Sequence, residues 1–292
     1  MTLPVAILVA VLAGAVNSIA GGGTLLTFPA LVALGVPPIV ANATSAVGLW
    51  PGLAASMWGY RSELAGTQTW AVRFAVPSAI GGLAGALLLI NTPPDRFESI
   101  VPWLVLGGTV LFMAHGAVLR TVARRGASAG GLSEGLSEAL LSADGAAAAP
   151  VVRAKPVADA PDSEDADAAS RSSPGVVILL AQLVIAVYGG YFGAGIGILM
   201  LSALGLMGLT NIHRMNGLKN WGGLCVNAAA VATFAVRGGG IVEWPLAVGM
   251  AAGAICGGYA GSRVARRVGQ TPVRRAIVAI GLASGVWLFF AL

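Results

Sequence analysis

Long apolar runs divide this chain, and they constrain its fold more than any other feature of the sequence. Polar breaks separate eight runs, at about residues 4–34, 39–58, 69–90, 100–119, 175–210, 215–236, 244–262 and 273–292. A helix needs about 20 apolar residues to cross the hydrocarbon core of a bilayer, and most of the runs are near this length. The mean hydropathy of +0.83 agrees with that match. The sequence therefore predicts an all-α polytopic membrane protein.

The stretch between the fourth and fifth runs has a different composition, rich in Ala, Ser, Asp, Glu and Pro. Residues 127–173 hold eight of the 12 acidic residues of the chain but only three of its 17 lysines and arginines. Such a segment cannot bury enough apolar surface to fold. We therefore predict a first membrane repeat over 1–120, a disordered cytoplasmic linker over 121–174 and a second membrane repeat over 175–292.

Landmarks in the two membrane parts recur in the same order. The pairs are Gly21 with Gly193, Gly23 with Gly195, Asn42 with Asn216, Trp70 with Trp244, and "TPPDR" at 92–96 with "TPVRR" at 271–275. The spacing within these pairs grows slowly along the chain, which indicates a duplicated unit. Duplicated membrane units are characteristic of secondary transporters.

The basic residues predict the orientation of the two parts. Arginine and lysine collect in cytoplasmic loops of membrane proteins. Arginines after the fourth run put the linker in the cytoplasm, and five arginines within 263–275 put that loop there too. The equivalent loop at 91–99 carries Asp95 and Glu98 and is expected outside. Opposite sides for equivalent loops indicate inverted repeats in the inner membrane, each with three transmembrane helices after its first run. Parallel repeats are the alternative.

Glycines interrupt the first and fifth runs, where a membrane helix would otherwise be continuous. "AGGG" ends at Gly23, and "GGYFGAGIG" spans 189–197. Consecutive glycines destabilise a helix, and a helix broken in hydrocarbon leaves polar backbone groups that need partners. We therefore predict a re-entrant hairpin or a pair of half-helices in each half, with Thr24 capping the second half-helix. Two such N-termini would form an anion site. Close helix packing is the alternative, and it is preferred for the glycines spaced by four within 253–261.

Polar side chains in apolar runs are costly, so each marks a candidate site. The substrate-binding candidates lie at the two breaks and on the helix that follows each. They are Asn17, Ser18, Gly21, Gly22, Gly23, Thr24, Asn42, Thr44, Ser45, Tyr191, Gly193, Gly195, Asn216, Lys219 and Asn220. Lys219 either binds an anion or extends to the cytoplasmic surface. The Asn, Thr and Ser side chains either bind substrate or hydrogen-bond between helices. The run interiors lack Asp and Glu, so a carboxylate proton relay or sodium site is not expected.

Several longer motifs surround these candidates. "TFPALVALGVPPIVANATSAVG" follows the first glycine cluster, and the second half contains "GAGIGILMLSALGLMGLTNIHRMNGLKN" and "WPLAVGMAAGAICGGYAGSRVARRV". In this order, over nearly everything but the linker, they resemble the sulfite exporter TauE/SafE family of membrane permeases. The resemblance implies transport of small anions, chiefly sulfite or organosulfonates such as sulfoacetate. The second half has Leu218 and Lys219 where the first has Thr44 and Ser45, so a symmetric ligand set is not implied.

The predicted function is thus a secondary transporter of small anions that works by alternating access, with a passive anion channel of the same fold as the alternative. An enzyme is not expected, because neither histidine accompanies a Ser or Cys nucleophile motif and the membrane runs hold no carboxylate pair. No cofactor, metal or nucleic acid is expected. The expected partners are the anionic substrate and the lipid bilayer, and a homo-oligomer is compatible with the sequence.

Overall fold

The computed structural model describes residues 2–19, 22–59, 68–128, 175–206, 212–237, 239–264 and 270–292, and this part of the chain forms ten α-helices. The first half contributes α1 (Thr2–Ile19), α2 (Thr24–Ala33), α3 (Pro38–Gly59), α4 (Gln68–Ile90) and α5 (Pro94–Ser128). The second contributes α6 (Val176–Tyr191), α7 (Ile196–Leu206), α8 (Ile212–Arg237), α9 (Trp244–Val264) and α10 (Gln270–Ala291). The fold is therefore all-α in the described residues, as predicted.

The first and fifth apolar runs, which glycines interrupt, each form two helices instead of one. The run at 4–34 gives α1 and α2, and the run at 175–210 gives α6 and α7. Among the described helices, only the stretch Thr69–Ile90 is long and apolar enough to meet a simple criterion for a membrane span. Shorter apolar stretches are Thr2–Ser18, Thr24–Ala33, Val176–Tyr191, Ile196–Gly205 and Arg275–Ala291.

The last helix of the first half continues into the predicted linker. Helix α5 continues to Ser128, past residue 120 where the first repeat was expected to end. The sequence "RTVARRGA" explains this, because arginine and alanine are strong helix formers. Residues 129–174, the remainder of the predicted linker, lie outside the described residues.

Helices α1 and α9 pack along each other through small residues. A methyl group added at Gly253 would lie 2.6 Å from the carbonyl oxygen of Ile7, and one added at Gly257 would overlap the carbonyl oxygen of Val11. The contact advances by one turn on both helices, so α1 and α9 run in the same direction. The prediction that the glycines within 253–261 allow close helix packing is confirmed.

Helix α3 joins this pair. A methyl group added at Gly48 would lie 2.7 Å from the Met250 Cβ, and one added at Gly52 would lie 2.8 Å from the Ala254 carbonyl oxygen. Both helices again advance together, so α3 runs in the same direction as α9. We call α1, α3 and α9 the first bundle.

Helices α4 and α6 form an equivalent pair. The Gln182 Nε2 donates a hydrogen bond to the Ser78 Oγ at 2.8 Å. One turn or more further on, a methyl group at Gly85 would overlap the carbonyl oxygen of Val187. Since both contacts advance toward the C-termini, α4 and α6 run in the same direction.

Helix α8 completes that second set. The indole Nε1 of Trp221 donates to the Ala71 carbonyl oxygen at 2.8 Å, and a methyl group at Gly82 would lie 2.5 Å from the Val226 carbonyl oxygen. Thus α8 runs in the same direction as α4. We call α4, α6 and α8 the second bundle. In this bundle α4 has the position that α9 has in the first, α6 has that of α1, and α8 has that of α3.

The two bundles run in opposite directions. Near the start of α3, the Thr44 Oγ1 accepts a hydrogen bond from the Glu243 amide, which follows the end of α8. Further along α3, the Trp50 Nε1 donates to the Leu224 carbonyl oxygen in the middle of α8 at 3.4 Å. Later residues of α3 therefore contact earlier residues of the second half. Helices α3 and α8 are therefore antiparallel.

The last helices of the two halves are also antiparallel. The Trp103 ring on α5 packs edge-to-face against Phe289 on α10, with ring centroids 5.1 Å apart. Later on α5, Thr109 lies against the earlier position Gly281 of α10. Later residues of α5 thus contact earlier residues of α10, as in an antiparallel pair.

Candidate functional site

The break between α1 and α2 is held by Asn17. Its Oδ1 accepts a hydrogen bond from the Gly23 amide at 2.9 Å, which ties the end of α1 to the start of α2. Gly23 is the N-cap residue of α2, and no side chain hydrogen-bonds as a cap. Thr24 is the first helical residue, so the prediction that it caps α2 is wrong. A capping side chain must precede the first turn, and a glycine occupies that position.

The break between α6 and α7 depends on two glycines with a left-handed backbone. Gly193 has φ of 80° and Gly195 has φ of 79°, a region that costs a residue with a Cβ about 1–2 kcal/mol. Tyr188 holds this segment with two hydrogen bonds, one through its backbone and one through its side chain. Its carbonyl oxygen accepts from the Phe192 amide at 2.9 Å, and its hydroxyl donates to the Ala194 carbonyl oxygen at 2.8 Å. The break is thus a specific turn built from this sequence.

The two breaks line one cavity between the halves. The predicted site residues of the first half that line it are Asn17, Gly22, Gly23 and Thr24. Those of the second half are Gly193, Gly195, Lys219 and Asn220. About 60 Å³ of the cavity is open to the centres of water-sized molecules. One water needs at least about 10–15 Å³ by this measure, so the cavity has room for about four water-sized groups.

Lys219 is the charged residue of this cavity. Its side chain is only 8% exposed and lies on α8, within the second bundle. The aliphatic part of the side chain runs along the start of α7, because a Cβ added at Gly197 would lie 3.3 Å from the Lys219 Cδ. No Asp or Glu is among the described lining residues. The cavity therefore combines a cation with no acidic counter-charge.

The starts of α2 and α7 both reach this cavity. No backbone carbonyl in the described part of the chain accepts a hydrogen bond from the amides of Thr24, Ile196 or Gly197. Helix N-termini carry unpaired amides and a partial positive charge of about half an elementary charge. Two N-termini and one ammonium group thus give the cavity a positive potential, as an anion site requires.

Four predicted site residues form hydrogen bonds away from the cavity. The Ser18 Oγ donates to the Ala15 carbonyl oxygen, and the Ser45 and Thr27 hydroxyls pair with each other. Asn42, 3% exposed, donates from Nδ2 to the Tyr191 carbonyl oxygen at 2.8 Å. Thr44 accepts from the Glu243 amide, as described above. The structure does not bring these side chains to the cavity, because their polar groups are used within or between helices.

Two further predicted residues are not fully described. Gly21 and the side chain of Asn216 lie outside the described residues. Tyr191 contributes its carbonyl oxygen to Asn42, and its ring packs edge-to-face against Phe97 with centroids 5.9 Å apart. Its role is therefore packing beside the break.

Sequence reasoning missed six lining residues. They are Ala46, Leu49, Leu53, Ile196, Gly197 and Asn227. Asn227 follows Asn220 by seven residues, the spacing of one helix face, and this signal could have identified it. The apolar residues carry no such signal, since Ala and Leu occur throughout membrane helices.

Aromatic packing fills the space beside the second break. Phe192, directly before Gly193, packs edge-to-face against Phe28 of α2 with ring centroids 5.3 Å apart. Phe97, in the first turn of α5, belongs to the same buried cluster. Closely packed, buried rings therefore lie beside the second break.

Comparison with known proteins identifies the family of this chain. The family model described as sulfite exporter TauE/SafE matches residues 6–288. The chain belongs to the TauE/SafE family. Members of this family are membrane transporters and not enzymes, so this chain is a membrane transporter.

Curated relatives agree with this assignment. A probable membrane transporter protein, ORF9 of Sinorhizobium sp, is 27% identical over 284 residues, covering 96% of this chain and 89% of the relative. A probable membrane transporter protein of Haemophilus influenzae is 25% identical over 90% of this chain and 85% of its own length. The probable membrane transporter YfcA of Escherichia coli K12 is 36% identical over 107 residues, covering 36% of this chain and 39% of YfcA. No solved structure gives a significant match.

Proposed function

We propose that this TauE/SafE protein is a secondary transporter of small anions, of the sulfite and organosulfonate class, that works by alternating access. The observation that carries the proposal is the convergence of two helix N-termini and Lys219 on one cavity, with no Asp or Glu among its described lining residues. Fixed backbone amides bind anions without a cofactor. The name of the family model supports sulfite or a related sulfur oxyanion as the substrate.

The proposed architecture is a pair of inverted repeats, residues 1–120 and 175–292, each with a re-entrant half-helix pair and three transmembrane helices. Three equivalent pairs of helices support it. α3 opposes α8 and α5 opposes α10 in direction, and α1 runs with the first bundle while α6 runs with the second. Parallel repeats would give equivalent helices the same direction. Inverted repeats are a common basis of alternating access.

This arrangement also supports the proposed orientation. The short connections after α4 and after α8 fall at one end of the bundles, and the segments that flank 129–174 and 265–269 fall at the other. The second end carries the arginines of the 263–275 loop. By the positive-inside rule we assign that end, with the linker, to the cytoplasm and the protein to the inner membrane.

Alternating access is favoured over a passive channel by the packing beside the site. Phe28, Phe192 and Phe97 are fully or almost fully buried beside the second break, and none of them is a lining residue of the cavity. A channel needs a continuous path for the ion. We take this buried packing as a barrier next to the site, which a transporter has in one of its two states and a channel does not.

The test is uptake by proteoliposomes that contain the purified protein. Sulfite, sulfoacetate, methanesulfonate, chloride and acetate are compared as substrates. We expect saturable uptake of the sulfur oxyanions, and acceleration of labelled uptake when unlabelled substrate is loaded inside. Saturation without this counterflow would favour the channel, and equal transport of all five anions would overturn the proposed substrate class.

A further inference from the structure

The cavity has two chemically different walls, formed by equivalent helices of the two halves. Ala46, Leu49 and Leu53 of α3 line one wall, and Asn220 and Asn227 of α8 line the other beside Lys219. The offset of 174 that relates Asn42 to Asn216 also relates position 46 to 220 and position 53 to 227. The same two helical positions are therefore apolar in one half and carboxamides in the other.

The polar wall suits an anionic headgroup. The Asn227 Nδ2 donates to the Gly223 carbonyl oxygen at 2.8 Å, which fixes the carboxamide and leaves its second N–H for a ligand. Asn220 and Lys219 add donors on the preceding turns. Together with the amides at the starts of α2 and α7, this side presents positive and hydrogen-bonding groups to an oxyanion.

The apolar wall cannot serve the same purpose. Leu49 is 3% exposed and packs with Ala13 and Ala254, so its position is fixed by the first bundle. Leu53 is half-buried and faces the cavity one turn further along α3. Neither side chain can hydrogen-bond an oxyanion, and polar atoms held against them without partners would be destabilised. Apolar atoms held there would instead be stabilised by burial.

Resting on the proposed function, we infer that Leu49 and Leu53 form a subsite for an organic substituent, and that Leu53 determines the preference between inorganic oxyanions and short alkylsulfonates. The headgroup binds Lys219, the carboxamides and the helix ends, while the carbon attached to sulfur contacts the α3 wall.

The experiment measures dissociation constants of sulfite, methanesulfonate and ethanesulfonate on purified protein. We expect affinity to rise by about fourfold for each methyl or methylene group that the wall buries, the factor that corresponds to the transfer of one CH₂ from water. Leu53→Asn copies the residue at the equivalent position 227. It should remove the gain between methanesulfonate and ethanesulfonate while sulfite affinity stays within about twofold of wild type.

Leu53→Ala provides a second variant if Leu53→Asn assembles poorly, and it should reduce the same gain. Persistence of the full alkyl gain in either folded variant would overturn the subsite. So would an equal loss of affinity for all three anions, because that result indicates a general change of the cavity. If wild-type protein binds none of the three anions, the proposed function itself fails, and this outcome is distinct from the others.

Discussion

Lys219, a lysine buried in the wall of the cavity, is the residue on which the proposed function most depends. Lys219 is 8% exposed, and no described lining residue is acidic. Taking an ammonium group out of water costs several kcal/mol unless a counter-charge compensates. An arrangement that costs stability and creates a positive cavity is expected where a bound anion supplies the missing charge.

This predicts opposite effects of Lys219→Met on binding and stability. Methionine keeps most of the side-chain volume along Gly197 but removes the charge. We expect the dissociation constant for the preferred sulfonate to rise about 10- to 100-fold, the loss expected for hydrogen bonds to a charged donor. The thermal midpoint without ligand should stay level or increase.

Arg237→Met is the matched control, because it removes a positive charge from the exposed end of the same helix. It should leave anion binding unchanged. Equal binding by wild type and Lys219→Met would mean that this ammonium group does not contact the anion.

A second prediction concerns Gly195, whose φ of 79° a residue with a Cβ adopts only at a cost. The nearest atom to an added methyl group would be the Gly108 carbonyl oxygen at 3.5 Å, so sterics alone would permit alanine. We expect Gly195→Ala to lower the free energy of unfolding in mixed micelles by about 1–2 kcal/mol. Gly107→Ala, an open position within helix α5, should raise it by about 0.5–1 kcal/mol. Equal effects at the two positions would remove the backbone explanation of Gly195.

At the scale of the elements, glycines in this chain have two separate purposes. Gly193 and Gly195 form a turn, whereas Gly14, Gly85 and Gly257 bring one helix backbone against another. Helix association in lipid depends on such close packing because the bilayer provides no hydrophobic drive between helices.

Gly257→Ala tests the packing role at the α1–α9 contact. The added methyl group would overlap the Val11 carbonyl oxygen, and backbone cannot move away as a flexible side chain can. We expect a loss of at least about 2 kcal/mol of unfolding free energy, at the upper part of the range for overpacking. Gly107→Ala again controls for the change in helix propensity. A neutral Gly257→Ala variant would show that the two helices separate easily.

The sequence allowed prediction of the elements and of half of the site, for identifiable reasons. Runs of apolar residues and consecutive glycines are local signals, so the broken first and fifth runs could be predicted. Eight predicted residues line the cavity. Six of them flank those breaks, and Lys219 and Asn220 lie on α8, the helix that follows the second break.

The remaining site residues depend on tertiary contacts. Nothing in "ANATS" indicates that Asn42 donates to Tyr191, 149 positions away, while Ala46 lines the cavity one turn later. Helix α5 also continues beyond the apolar run to Ser128, through residues whose propensity favours helix. Which polar group is used for packing and which for binding is fixed by neighbours distant in sequence.

At the scale of the whole molecule, the exchange of helices between halves is the feature that connects fold with transport. Each bundle contains helices from both halves: α9 of the second half packs on α1 and α3, and α6 and α8 pack on α4 of the first. The cavity lies where the two sets meet, with residues from α1, α2 and α3 facing residues from α7 and α8. A displacement of one bundle relative to the other would therefore change access to the site without disrupting the helix packing inside either bundle.

This architecture makes a topological prediction. With α3 antiparallel to α8 and α5 antiparallel to α10, the loop at 91–99 and the loop before Arg275 must lie on opposite sides of the membrane. Single cysteines at Thr92 and Thr271, introduced after replacing Cys225 and Cys256 by alanine, report the side of each loop. In intact cells, a membrane-impermeant maleimide should label the Thr92 position, and the Thr271 position should react only after the membrane is opened.

A cysteine at Ser99, on the exposed surface near the start of α5, is a second reporter for the loop at 91–99 and should label from the same side as the Thr92 position. Labelling of both positions from the same side would exclude inverted repeats, and alternating access would then need a different structural basis. Labelling from opposite sides, combined with uptake that survives in both cysteine variants, would connect the antiparallel helix pairs to a working transporter.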